Sequence, residues 1–159
     1  EVRKPKLSEV VSMKQLLDEA AAEGHVLPRQ LPELYENVRD FYVYVDEEGL
    51  GGVAALHIDM EDLAEVRSLV VRKNLRGKKI GKFLVEALLA EAKELGIDRV
   101  YALTRLPLFF EKVGFRVLDR AELPYKVFKD CMRCSLFPGC DEIAVARDLA
   151  PPRTGEVKP

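Results

Sequence analysis

The segment Ser68-Leu69-Val70-Val71-Arg72-Lys73-Asn74-Leu75-Arg76-Gly77-Lys78-Lys79-Ile80-Gly81-Lys82-Phe83-Leu84 constrains this chain more than any other. An apolar strand pattern enters a basic, glycine-bearing loop that opens directly into an amphipathic helix. Such a junction aims the N–H groups of the loop and the positive end of a helix dipole at one spot, and glycine lets the backbone come close to an anion. The expected ligand is a nucleotide-containing cofactor whose diphosphate rests on residues 76 to 81. The plainer reading of the same residues is a solvated basic turn before an ordinary helix.

A chain of 159 residues, 48% of them apolar, has enough material for one well-buried core and too little for two. A single domain over 1–149 is therefore expected. Residues 150–159 hold Pro151, Pro152, Gly155 and Pro159 and read as a disordered tail. The net charge of −2 argues against a general nucleic-acid binder. No apolar run reaches bilayer-spanning length, and Glu1-Val2-Arg3-Lys4-Pro5-Lys6 lacks the apolar core of a secretory signal, so no membrane partner and a cytoplasmic location are expected.

Around the central segment, Ser8 and Glu9 followed by Val10, Val11, Met13, Leu16, Leu17, Ala20 and Ala21 predict a helix capped by Ser8. A shorter helix is expected from Pro32 through Val38. Phe41–Val45 and Gly51–Ile58 form a predicted hairpin, with a third antiparallel strand at Ala64–Val71 after a turn over 59–62. Period two on that strand places Glu65, Arg67, Leu69 and Val71 on one face and Val66, Ser68 and Val70 on the other. The next helix carries Ile80, Phe83, Leu84, Ala87, Leu88, Ala92 and Leu95 on one stripe and ends at Gly96. The strand Arg99–Leu103 then implies a parallel pair joined by a crossover. A helix from Pro107 to Val113, a strand from Phe115 and a last strand at Glu142–Leu149 complete the pattern.

With these elements in this order, the run Phe109-Phe110-Glu111-Lys112-Val113-Gly114-Phe115 and the loop around Arg76 and Gly81 resemble the GNAT acetyltransferases. That resemblance implies an α/β (α+β) fold: a mixed central sheet of about six or seven strands flanked by helices on both faces. It also implies acetyl-CoA as co-substrate and an amine as acceptor. The family's cradle signature is Gln or Arg, two variable residues, Gly, one variable residue, then Gly or Ala. Arg76 and Gly81 match it; Lys79 stands at the first Gly position, where a residue with helical dihedrals needs no glycine, and Gly77 is displaced by two. By this resemblance Arg76, Gly77, Lys78, Lys79, Ile80, Gly81 and Lys82 hold the diphosphate, and the backbone of Leu69, Val70 and Val71 holds the pantetheine arm and polarises the thioester carbonyl.

Further segments are similar to the short, stand-alone bacterial N-acetylglutamate synthases: Leu27-Pro28-Arg29, Leu34-Tyr35-Glu36-Asn37-Val38, Gly52-Val53-Ala54-Ala55-Leu56-His57, Glu61 through Leu69, Glu122-Leu123-Pro124, Lys126-Val127 and Asp130-Cys131. They imply L-glutamate as acceptor and a place at the first step committed to arginine synthesis. Another amino acid or small amine, such as glutamine, is the alternative, since an amide in place of a carboxylate changes only the distal contact. Glu65 falls where many GNAT enzymes carry a general base; otherwise it pairs with Arg67 on the surface. Arg29 matches the arginine that holds the substrate carboxylate, with Arg67, Lys126 and Arg133 as further candidates and Lys129 behind them. Thr104 either lines the cofactor slot or caps the next turn.

Many family members place a Tyr where this chain has Phe110, so the acid that protonates the leaving thiolate is water, another residue, or unnecessary. Together with Lys79, this leaves a non-catalytic, CoA-binding regulatory domain as a different class of answer. Cys131, Cys134 and Cys140 begin as CxxC without a fourth ligand nearby, so buried thiols are expected rather than metal or redox chemistry. His57 is expected to end its strand as a satisfied polar residue. A homodimer, formed by exchange of the last two strands, is compatible with any of these readings.

Overall fold

The structure, a computed structural model, describes residues 1–124 and 141–149. Lys126, Lys129, Arg133, the three cysteines and the expected tail lie outside the described residues. The strands are β1 (Val2–Arg3), β2 (Phe41–Asp46), β3 (Gly49–Met60), β4 (Leu63–Val71), β5 (Arg99–Thr104), β6 (Arg116–Leu118) and β7 (Ile143–Asp148). The helices are α1 (Val10–Ala22), α2 (Leu31–Glu36), α3 (Ile80–Glu94) and α4 (Pro107–Lys112).

All seven strands join one sheet in the order β1-β2-β3-β4-β5-β7-β6. Among the described residues only β4 and β5 run parallel, as expected of a pair bridged by the α3 crossover. Ser8 does not cap α1: it lies inside a short 3-10 turn, Leu7–Glu9, and Glu9 instead accepts from the Lys6 N–H at 2.7 Å. Its longer side chain reaches back to the free donor and also meets the Arg3 guanidinium at 2.8 Å.

The sheet is covered on both faces. On one, α3 and α4 pack over Ala54, Leu56, Ala64, Val66, Val100, Ala102 and Val145. The buried stripe of α3 is Ile80, Leu84, Val85, Leu88, Leu89 and Ala92, whereas Phe83 and Leu95 are exposed. The apolar surface is thus rotated by about one residue from the expected stripe, because the side chains lean over the preceding turn. On the other face, α1 and α2 close over Phe41, Val43, Val53, Ala55 and Val70. Further along that face Leu63, Tyr101, Leu118, Leu123, Ala144 and Ala146 form a separate cluster.

Two bulges decide what lies between those clusters. In β4, Arg67 pairs with Ala55 and Val70 with Val53, so Ser68 and Leu69 together oppose Ala54. Ser68 takes a left-handed φ of 54° to fit. The extra residue inverts the alternation beyond it: Val66, Leu69 and Val71 face α3, while Val70 packs under α1. The strict period-two assignment is therefore corrected, and Glu65 and Arg67 share a face with Val70 rather than with Leu69 and Val71. In β3, Ile58 pairs with Ala64 and Met60 with Leu63, leaving Asp59 as the extra residue. Asp59, expected in a turn, is instead buried inside the strand at 6% exposure.

Candidate active site

The parallel pairing of β4 with β5 lasts for three rungs, from Leu63 opposite Arg99 to Glu65 opposite Tyr101. β5 then follows β7 as far as Thr104 opposite Ile143, while β4 stays with β3 as far as Val71 opposite Gly52. The sheet opens between them, and among the described residues the edge of β4 from Val66 to Val71 has no strand partner on its β5 side. Main-chain donors and acceptors are thereby left facing an opening, where a bound chain with amide groups would satisfy them.

At the far end of β4 the loop carries two left-handed residues, Gly77 with φ 83° and Lys79 with φ 65° and ψ 15°. Lys79 is the residue immediately before α3, so the expectation of ordinary helical dihedrals there is corrected. The chain must reverse sharply to enter the helix, and a non-glycine residue held left-handed costs about 1–2 kcal/mol. The first helical bond runs from the Phe83 N–H to the Lys79 carbonyl at 3.1 Å, so the N–H groups of Ile80, Gly81 and Lys82 have no intrahelical acceptor. No side chain caps them among the described residues.

A Cβ on Gly81 would come within 3.2 Å of the Phe109 ring and 3.8 Å of Val71, which places Gly81 where α3, α4 and the end of β4 meet. Lys78, Lys79 and the Arg76 side chain are exposed around it, with Arg76 Nε donating to the Val71 carbonyl at 3.3 Å. Exposed cations and glycine backbone thus lie beside the N–H groups at the start of α3 that have no intrahelical acceptor. Phe110 is buried edge-on between Phe109 and Phe115 and has no hydroxyl to offer.

Beside the opening, on the face away from α3, a polar strip separates the two apolar clusters. Glu65 is 8% exposed. Its Oε1 accepts from Arg67 Nε at 2.6 Å and lies 3.3 Å from the Tyr101 hydroxyl. Burial pushes the Glu65 carboxyl above the ordinary carboxylate range, against the opposing pull of Arg67. The Tyr101 hydroxyl donates to Asp59 Oδ2 at 2.7 Å, and burial together with the Glu65 charge holds that phenol well above its usual pKa. His57, paired with Glu65 across the strands, sits 3.5 Å from Asp59 Oδ1, and burial followed by the Arg67 charge lowers its imidazole pKa. His57 is thus inside β3 rather than at its end.

Arg29 enters the strip from the loop before α2. Its Nη2 meets Glu33 at 2.7 Å, its Nη1 donates to Ser68 Oγ at 3.1 Å, and its guanidinium lies over the Phe41 ring. The fold therefore brings Glu65, Arg67 and Arg29 together and gathers Arg76 through Lys82 at the entry to α3. Thr104 is buried, and its hydroxyl accepts from the Leu106 N–H at 2.8 Å, which is the turn-capping arrangement of the two readings. Asp59 and Tyr101 were not singled out by sequence. Tyr101 reads as one more apolar strand residue, and the only signal for Asp59 is an acidic residue next to a strand end.

Residues 11–115 match the acetyltransferase (GNAT) family, and the chain belongs to it. It is 33% identical over 148 residues to an uncharacterised N-acetyltransferase of Chlorobaculum tepidum, covering 93% of this chain and 96% of that protein. It is 34% identical over 135 residues to an amino-acid acetyltransferase of Mycobacterium tuberculosis, covering 83% of this chain and 77% of the relative. Among solved structures, Rv2747 of Mycobacterium tuberculosis, in complex with CoA and NLQ, superposes with a TM-score of 0.83 at 28% identity over 94% of this chain and 99% of that one. N-acetylglutamate synthase of Neisseria gonorrhoeae, complexed with coenzyme A and N-acetyl-glutamate, gives a TM-score of 0.85 at 23% identity over 95% of this chain and 35% of that one, a likeness of fold. No helix among the described residues is long and apolar enough to cross a membrane.

Proposed function

We propose that this GNAT acetyltransferase moves the acetyl group of acetyl-CoA onto the α-amine of L-glutamate by direct attack, with Glu65 as general base acting through a water. The observation that carries the reading is the position of Glu65: a buried carboxylate on the last parallel rung, at the point where the sheet opens. An amino-acid ammonium must lose a proton before its nitrogen can attack, and a carboxyl raised by burial is a stronger base than an exposed one. Glu65 takes that proton, the amine nitrogen bonds to the acetyl carbon, and the carbon–sulfur bond breaks.

In this reading the N–H groups of Ile80, Gly81 and Lys82 hold the diphosphate, with Arg76, Gly77, Lys78 and Lys79 around them. The β5-facing edge of Leu69, Val70 and Val71 orients the thioester arm. A backbone donor aimed at the developing oxyanion would contribute about 3 kcal/mol. The leaving thiolate needs no dedicated acid, since a thiol pKa of about 8.5 makes it a tolerable leaving group. Arg29 supplies the fork for a substrate carboxylate, and Arg67, Lys126 and Arg133 complete the proposed acceptor set.

Glutamine is the second reading, favoured by the Glu33 carboxylate already held by Arg29 at 2.7 Å, which leaves less uncompensated charge for a distal carboxylate. Release of free thiol from acetyl-CoA across a panel of amino acids and amines tests both. Turnover selective for glutamate supports the proposal, and selectivity for glutamine moves it to the second reading. Coenzyme binding without thiol release from any acceptor contradicts both and favours a regulatory domain.

A further inference from the structure

The polar strip holds more carboxylate than the reaction needs. Glu65 is faced by Arg67 on its own strand, by His57 and Asp59 from β3, and by Tyr101 from β5; Arg29 and the half-buried Asp40 stand further out on the same face. Two of these groups, Glu65 and Asp59, are buried acids that converge on one phenol. A phenol has a single hydrogen to give. The Tyr101 oxygen lies 2.7 Å from Asp59 Oδ2 and 3.3 Å from Glu65 Oε1, so the hydrogen lies on the Asp59 side. Glu65 Oε1 then meets the oxygen of the phenol rather than its proton.

Asp59 lies two residues from His57 and so shares its face, and β3 carries it there as an extra residue. Without the bulge between Ile58 and Met60, Asp59 would pair with Leu63 and Met60 would lose that register. Asp59 is buried at 6% exposure, and a buried carboxylate without a structural or chemical return is costly.

We propose that Asp59 is a positioning residue for the general base: by keeping the Tyr101 hydrogen to itself, it denies Glu65 a donor and leaves Glu65 Oε1 a stronger proton acceptor. The inference rests on Glu65 being the base. The negative charge of Asp59 acts in the same direction, since a neighbouring like charge disfavours ionisation of Glu65. A hydrogen bond donated by Tyr101 to Glu65 would act in the opposite direction, and the two arrangements therefore predict opposite responses to removal of the phenol.

The test is a carbon-13 NMR titration of the Glu65 side-chain carboxyl in the full chain, in wild type, Asp59→Asn and Tyr101→Phe, with melting curves as a check on folding. Both substitutions are expected to lower the Glu65 titration midpoint, and the acid limb of kcat/KM is expected to move with it. A raised midpoint in Tyr101→Phe shows the phenol donating to Glu65 and overturns the proposal, as does an unmoved midpoint in folded Asp59→Asn. If Asp59→Asn does not fold, the sign of the shift in Tyr101→Phe decides. Because the titration reads Glu65 directly, these outcomes are independent of whether Glu65→Gln keeps its turnover, which would instead remove Glu65 as the base.

Discussion

Arg29 Nη1 donates to Ser68 Oγ across 3.1 Å, tying the loop before α2 to the bulge of β4. The same guanidinium is held by Glu33 and stacked on Phe41, so its direction is fixed before any ligand arrives. A substrate carboxylate meeting it there would gain a charge-assisted bond of about 1.5–3 kcal/mol. Arg29→Ala is expected to raise the glutamate KM by about 10- to 100-fold, with a smaller effect on the KM for acetyl-CoA. Steady-state kinetics in both substrates check this, and an unaltered glutamate KM moves the carboxylate site elsewhere.

Glu65→Gln keeps the shape of the side chain and removes its basicity. A fall in kcat of about 10²- to 10⁴-fold is expected at neutral pH, with coenzyme affinity nearly unchanged. In wild type, activity should be lost as pH falls through the Glu65 pKa, and the midpoint of that loss should lie above the ordinary carboxylate range because burial raises it. Rates measured across pH, alongside calorimetric binding of CoA, separate chemistry from affinity.

Glu9 has the opposite perturbation. The hydrogen bond from Arg3 holds its carboxyl down at about 2, against an ordinary value of 4.5. A carboxyl lowered in the folded state contributes stability that is present above its unfolded pKa and is lost as pH falls towards its folded pKa. Glu9→Gln should therefore melt below wild type at pH 7, and the gap should shrink between pH 4.5 and about 2. Melting temperatures of the two proteins over that range check the sign, and a constant gap would refute it.

Lys79 holds a left-handed conformation that favours glycine. Relief of that strain in Lys79→Gly offsets the added freedom of the unfolded chain, and a change between zero and about 1 kcal/mol of stabilisation is expected. Lys82→Gly, in the first turn of α3, should instead cost up to about 1 kcal/mol. Denaturant melts of the pair distinguish a strained entry residue from an ordinary helical one, and equal losses in both variants would contradict the assigned backbone.

The elements were legible in sequence wherever apolar spacing carried them: the β2–β3–β4 meander, the α3 crossover and the parallel β5 all lie where the periodicity put them. The errors sit where one residue departs from its period. Nothing in the identity of Ser68 announces a bulge, yet it inverts the faces of Leu69, Val70 and Val71. Lys79 shows the converse case, since the glycine that the family signature places there already marks a position needing positive φ. Asp59 and Tyr101 could not be paired from sequence because their meeting depends on the register of β3 against β4 and on a parallel register set 36 residues away from Glu65. Arg29 was legible as a charged fork, but its partners Glu33 and Ser68 required the fold.

The account rests on α3 and the β4–β5 opening receiving one ligand along their length. A crystal structure of the chain with acetyl-CoA tests this most directly. The expected result places the diphosphate within hydrogen-bond reach of the N–H groups of residues 80 to 82, with the thioester in the opening beside Glu65. A coenzyme lodged elsewhere, or a diphosphate out of reach of the α3 N-terminus, would contradict it.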